Sequence, residues 1–271
     1  MLEKTAATER ALPDFENPPA VETLMGVHFP PLEKWKTPHF GLFWARIKED
    51  YPRVEMQLPV IQQPTLEGVL SRLQSPVEFP QRCWFFNRDE TRLIQVQSNL
   101  FLHNWRRTAR TERYLHYDDL RPHFEREWQG FRDFLEREGL GAVKASGCEV
   151  TYVNHIDRGS GWETFADLSN VFPNWSPATS HNVLPSPELI AINASYPISD
   201  SAGHLQITAQ PVVRQQDAKE SIQLTLTARC KPSSSSDEDI YRSLDEARKW
   251  VVLGFTDFTS PKMHELWGRK I

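Results

Sequence analysis

The order of local patterns along this chain runs twice, and that order restricts the available folds more than any single motif does. In each pass an alternating strand leads to an aromatic helix, a proline-rich stretch, three strands and a long amphipathic helix. The first pass covers residues 20–138 and the second 147–258. Strands with one apolar face need a partner layer, and one long striped helix per pass can supply it. The expectation is an α+β protein of two similar β-α-βββ-α halves, each a curved antiparallel sheet covered by a long helix. A flexible tail over 1–17, a first half over 18–142 and a second over 143–271 complete the expected division.

The elements follow from periodicity. After Pro18-Pro19, Val21, Thr23, Met25, Val27 and Phe29 alternate with more polar neighbours, which marks a half-buried strand. Thr37-Pro38 reads as the cap and first residue of a helix carrying Phe40, Phe43, Trp44 and Ile47. A meander over 82–86, 91–97 and 100–107 turns at Asn87-Arg88-Asp89-Glu90 and at Ser98-Asn99. Leu120, Phe124, Trp128, Phe131 and Leu135 then form the clearest helical stripe, capped by Asp118 or Asp119 and closed by Gly139 and Gly141. In the second pass Cys148, Val150, Tyr152, Asn154 and Ile156 share one strand face, and Glu149, Thr151, Val153, His155 and Asp157 share the other. Asn154 therefore falls on the buried side, where it must be hydrogen-bonded, and a bridge to a loop is expected. Strands over 189–198, 204–213 and 221–230 precede a helix carrying Ile240, Leu244, Ala247, Val251 and Phe255, with Ser236 and Asp239 as its capping pair.

Composition excludes several classes. Hydrophobic content of 39%, charged content of 25% and nine tryptophans belong to a globular chain with a core. A net charge of -5 provides no basic field for general nucleic-acid affinity. The first ten residues carry no leader-like apolar run and no stretch approaches about 18 apolar residues, so a cytoplasmic protein without a membrane segment is expected. Cys83, Cys148 and Cys230 are odd in number and lie in strand-like runs, which fits buried free thiols.

Candidate sites are few. Between Arg82 and Arg113 seven arginines face three carboxylates, and Trp105, Arg106, Arg107, Arg110 and Arg113 form a cluster that a phosphorylated or polyanionic ligand would need. A charged sheet edge explains the same residues. His116, Asp118, Asp119 and His123 gather before the clearest helix, but the aspartates are accounted for at its N-terminus, so no metal is expected. His155 and Asp157 share a strand face and are the candidates for acid–base chemistry in a hydrolase-like enzyme. No nucleophile elbow accompanies them, and no phosphate-binding or dinucleotide glycine pattern occurs, so no cofactor is expected. Trp267 in the short C-terminal amphipathic stretch is expected to pack on its own chain.

The order β-α-(β)n-α resembles helix-grip and TATA-binding-protein-like folds. The segments Pro18-Pro19-Ala20-Val21-Glu22, Arg92-Leu93-Ile94-Gln95-Val96-Gln97 and Thr151-Tyr152-Val153-Asn154-His155-Ile156-Asp157, with Phe255 and Phe258-Thr259, resemble a family of sporadically distributed bacterial proteins of about this length. His155 departs from that family, where arginine is commoner at the position. The resemblance implies an architecture and an accessory role, in a bacterial defence or mobile-element system, beside a protein partner or a second copy of the chain. A binding or interaction protein is therefore expected, with the hydrolase as its alternative.

Overall fold

A computed structural model describes residues 11–60, 81–108, 114–175, 187–198, 203–214 and 217–270. The described elements run β1 (Ala20–His28), α1 (Pro38–Ile47), β2 (Arg53–Gln57), β3 (Arg82–Phe86), β4 (Arg92–Gln97), β5 (Leu100–Arg106) and α2 (Tyr117–Arg137). They continue with β6 (Gly147–Asp157), a 3-10 turn (Phe165–Asp167) leading into α3 (Leu168–Val171), β7 (Ile192–Ile198), β8 (Gly203–Val213), β9 (Glu220–Cys230), α4 (Asp237–Phe258) and α5 (Pro261–Leu266). The class is α+β, with the strands in the sheet order β2-β3-β4-β5-β1-β6-β9-β8-β7. The ladders β1–β5, β2–β3, β3–β4, β4–β5 and β7–β8 are antiparallel. Two compact units interleave in sequence: Glu22–Val150 with Arg229–Leu244, and Met1–Val21 with Thr151–Ala228 and Asp245–Ile271.

In the first unit the register sets the core. Val27 faces Phe101, Met25 faces His103 and Thr23 faces Trp105 across β1 and β5, so these side chains share one sheet face. The α2 stripe lies on that face, and Phe124, Trp128 and Phe131 are fully buried. Phe131 is the hub, with ring centroids 5.0 Å from Phe101, 5.6 Å from Phe43, 6.1 Å from Trp35 and 6.2 Å from Phe29. Edge and offset ring contacts of this kind add to the burial of large apolar area. On the opposite face Gly26 leaves room for Leu102, whose side chain a Cβ would strike.

The helix α1 starts where expected, with Thr37 as N-cap and Pro38 as its first residue, but its cap bond is not the expected one, and α2 starts earlier than expected. Thr37 makes no capping bond, and the Lys36 N–H instead donates to His39 Nδ1 at 2.7 Å. The cap of α2 is His116, and Asp119 reaches back to accept its N–H at 3.3 Å. Tyr117 is only 2% exposed, so the first turn has to include it, which moves the cap ahead of both aspartates.

The face of the first unit away from α2 carries a buried amide relay. Gln95 Oε1 accepts from Trp84 Nε1 at 2.8 Å and from Arg82 Nη1 at 3.0 Å, while its Nε2 donates to Asn104 Oδ1 at 2.9 Å. Asn104 in turn donates to Glu22, whose carboxyl is raised by burial against the opposing Asn104 bond and Arg106 charge. Glu149 accepts from His28 Nε2 at 2.9 Å and from Arg229 Nε at 2.6 Å. Burial works against its charge, but the His28 bond and Arg229 outweigh it and hold the carboxyl at about 2.

In the second unit, Leu224, Leu226 and Ala228 of β9 are fully buried, as are Ala247 and Val251 of α4. At Gly254 a Cβ would strike Leu205 and lie 3.6 Å from Leu226, so the backbone of α4 rides close on β8 and β9. Asn154 is buried, and its amide donates to Leu224 O of the neighbouring strand at 3.1 Å; the expected bridge to a loop is replaced by one across the ladder. The tail expected over 1–17 is anchored where it is described. Lys270 N donates to Asp14 O at 2.9 Å and Asn17 N to Trp267 O at 3.0 Å, and Phe15 packs edge-on against Phe255 at 5.4 Å. A single aromatic residue on a polar segment carries no periodicity, which is why pattern alone misses this anchor. Trp267 lies 5.1 Å from Phe255, packed on its own chain. All three cysteines are free and buried. No helix is long and apolar enough to cross a membrane among the described residues.

Two outcomes follow from this packing. Phe131→Ala should destabilise the protein by about 3–5 kcal/mol in urea unfolding, because it empties the hub instead of trimming a rim. His103 is fully buried, and neither ring nitrogen has a hydrogen-bond partner among the described residues. Burial, with Arg92, His123 and Arg126 nearby, pushes it from 6.5 down to about 3. The unfolded chain therefore binds more protons than the folded one in acid, and stability falls as the pH is lowered. His103 acts from 6.5 towards about 3, and Glu149 from 4.5 towards about 2. His103→Leu should flatten the upper part of the stability–pH curve and Glu149→Gln the lower, as measured by denaturant midpoints across that range.

Candidate functional site

A concave feature that combines apolar walls with polar groups lies in the second unit. It is a cleft of about 610 Å³ beside the loop after β6, the segment before β7, and the adjoining ends of β8 and β9. Its size falls in the range of small-ligand sites.

Local sequence explains each wall. After β6 the chain turns through Gly159 and Gly161, both at positive φ (88° and 94°), a conformation that glycine adopts without strain. Met263 of α5 presses on Gly161 where any Cβ would be, with its Cε 3.3 Å from that position. Trp162 is 5% exposed and donates its Nε1 to Ile156 O at 3.0 Å, and its ring stacks on Phe165 at 6.0 Å. Asp167 holds the following turn by accepting from the N–H groups of Glu163 and Thr164 at 3.1 and 2.9 Å. Those backbone bonds, Thr164 first, keep its carboxyl below the usual range. Opposite these rings stand Leu189 and Val213, 65% and 64% exposed. Large apolar side chains left open beside a cleft mark interaction surfaces.

Charge at the cleft is uneven. Arg158 donates to Glu220 at 2.5 Å and lies 3.7 Å from Glu163, while Glu188 has no ion-pair partner among the described residues. One guanidinium thus serves two carboxylates, and the third has no ion-pair partner among the described residues.

The residues singled out from sequence are placed as follows. Asp157 is buried, with Oδ1 accepting from Ser221 Oγ at 2.7 Å and lying 3.2 Å from Arg214 Nη1, while Oδ2 accepts from Nη2 at 3.3 Å. Arg214 also holds Asp217 at 2.6 Å. Ser221 lines the cleft, so this cluster braces its floor. His155 is half-buried, and its Nε2 lies 3.3 Å from Gln223 Oε1 on β9. The contacts Thr151–Thr227, His155–Gln223 and Asp157–Ser221 fall on one antiparallel register, so each side chain meets the residue across the ladder.

In the first unit Trp105 is 4% exposed on the α2 face with Tyr114 at its edge, whereas Arg106 lies on the other face with its guanidinium 5.8 Å from the Phe86 ring. Successive strand residues point to opposite faces, so β5 separates this pair. Arg107 is half-buried, and Arg110 and Arg113 lie outside the described residues. His123 Nδ1 is 2.9 Å from Arg92 Nη1, and no group of three or more His, Cys, Asp or Glu side chains is placed to hold a metal among the described residues.

Sequence reading found Asp157 but not its partners. Arg214 and Ser221 are distant in sequence, and only the β6–β9 register, which no motif announces, brings them together. The cleft walls were missed for the same reason, although the glycine pair after β6 did mark the loop.

A scan against protein-family models finds no match, and a search of curated proteins finds no match either.

Arg214→Ala should cost about 3–5 kcal/mol, since it strands a buried carboxylate. The double replacement Asp157→Asn with Arg214→Met should recover most of that loss in urea unfolding, which identifies the pair as a structural brace.

Proposed function

We infer that this chain is a binding protein, not an enzyme, and that the cleft of the second unit is where its ligand sits. The single observation that carries this reading is the contrast between the cleft's walls and its floor. The walls present open apolar side chains at Leu189 and Val213. At the floor stands Ser221, and the buried carboxylate it donates to, Asp157, lies behind the lining with its oxygens already occupied by Ser221 and Arg214. A general base needs a lone pair within reach of the substrate proton, and this arrangement withholds it. Hydrolysis through His155 and Asp157 thereby loses its support. The expected partner, a protein or a second copy of this chain in an accessory role, is compatible with a cleft that binds without turnover.

The same reading treats the fold as a duplication. Its support is the matching neighbour order, β3-β4-β5-β1 in the first set of strands and β7-β8-β9-β6 in the second, with a long helix after β5 and after β9. Superposition of 20–138 on 147–258 in an experimental structure with opposed helix directions would remove it.

The neutral fluorophore N-phenyl-1-naphthylamine probes the cleft. It should bind with one saturable site, and Leu189→Asp with Val213→Asp should weaken it by about tenfold or more, because each burial lost is worth about 1.5 kcal/mol. Unchanged binding in that variant would remove the cleft as a site. Turnover of p-nitrophenyl esters by the native protein but not by His155→Ala would overturn the non-catalytic reading.

A further inference from the structure

Resting on the cleft reading above, we propose that the ligand group is an organic cation with an apolar stem, of the kind an arginyl side chain beside an apolar neighbour presents. Three features of the cleft select it. The first is the apolar surface: Phe165 and Trp162 on one side, Leu189 and Val213 on the other, with space of about 610 Å³ between. A neutral apolar molecule would use this surface alone.

The second is the imbalance of charge. Arg158 is shared between Glu220 and Glu163, and Glu188 stands next to Leu189 with no ion-pair partner among the described residues. The nearby cation Arg214 is held by Asp157 and Asp217 and so does not neutralise this rim. An anion entering the cleft would meet three carboxylates and one guanidinium that is already engaged. A cation would be attracted by the same three carboxylates, and its stem would cover Leu189 and Val213 as its head reached Glu188.

The third is shape of charge. Guanidinium is planar, weakly hydrated and able to stack on aromatic faces, which Phe165 offers beside the carboxylate rim. A compact ammonium would satisfy the carboxylates but use the ring less.

The same chemistry comes from a free small molecule or from a partner chain, and the test separates them. N-acetyl-leucyl-arginine amide and its neutral, nearly isosteric citrulline counterpart compete against N-phenyl-1-naphthylamine for the cleft. The arginine compound should displace the fluorophore about three- to tenfold more effectively, the modest range expected of exposed charge pairs. The advantage should shrink as ionic strength rises. Glu188→Gln, a surface change that leaves the fold intact, should remove most of it. A longer peptide with the same leucine–arginine pair at its centre distinguishes the sources: tighter displacement than the dipeptide assigns the group to a partner chain, equal displacement to a small molecule. Equal competition by arginine and citrulline compounds, or competition by neither while the fluorophore still binds, overturns the cationic assignment and leaves the cleft reading standing. Failure of the fluorophore itself to bind overturns the cleft reading instead.

Discussion

Burial of the α2 aromatic stripe on the β3-β4-β5-β1 face is the interaction from which the first unit is built. Phe131 meets four aromatic rings, one from α1, one from β5 and two from the segment between β1 and α1, so elements distant in sequence are fixed by one side chain. The strand pleat then decides the rest: whatever alternates with the apolar residues must go to the other face. There the polar side chains satisfy one another, as in the relay from Trp84 through Gln95 and Asn104 to Glu22. A relay of this kind costs little while complete and more if its centre is lost, because Gln95 and Asn104 are buried and would keep unpaired polar groups.

What was legible in the sequence was whatever had a period. The strands β1, β3, β4, β5 and β6 and the helices α2 and α4 were marked by alternation or by a stripe, and the structure has them within a few residues of the expected bounds. Helix caps were less legible. His116 caps α2 because buried Tyr117 extends the helix by a residue or two, a tertiary demand that outranks the local preference for aspartate. The candidate site was legible only in part. Asp157 stood out as polar at a strand end, but its meaning depends on Arg214 and Ser221, and those contacts arise from register between strands far apart in the chain. Leu189 and Val213 had no signal at all, since single apolar residues near strand ends look like ordinary core.

The two units treat buried charge alike. Glu149 between His28 and Arg229, and Asp157 between Arg214 and Ser221, are carboxylates at opposite ends of β6, each with neighbours that supply donors on more than one side. Truncation of one partner leaves a desolvated charge, whereas replacement of the whole group does not. Such clusters hold neighbouring strands in one register, because a slip would turn every one of these side chains to the apolar face.

Met263 seated on Gly161 ties the cleft's loop to the far end of the chain. The tie is reinforced where Ser260 N donates to Val171 O at 2.9 Å, just past the loop's 3-10 turn. Residues that never touch a ligand thus determine where Trp162 and Phe165 stand. The C-terminal segment works as a splint for the cleft, so a deletion there would shift Trp162 and Phe165 without replacing a single wall residue.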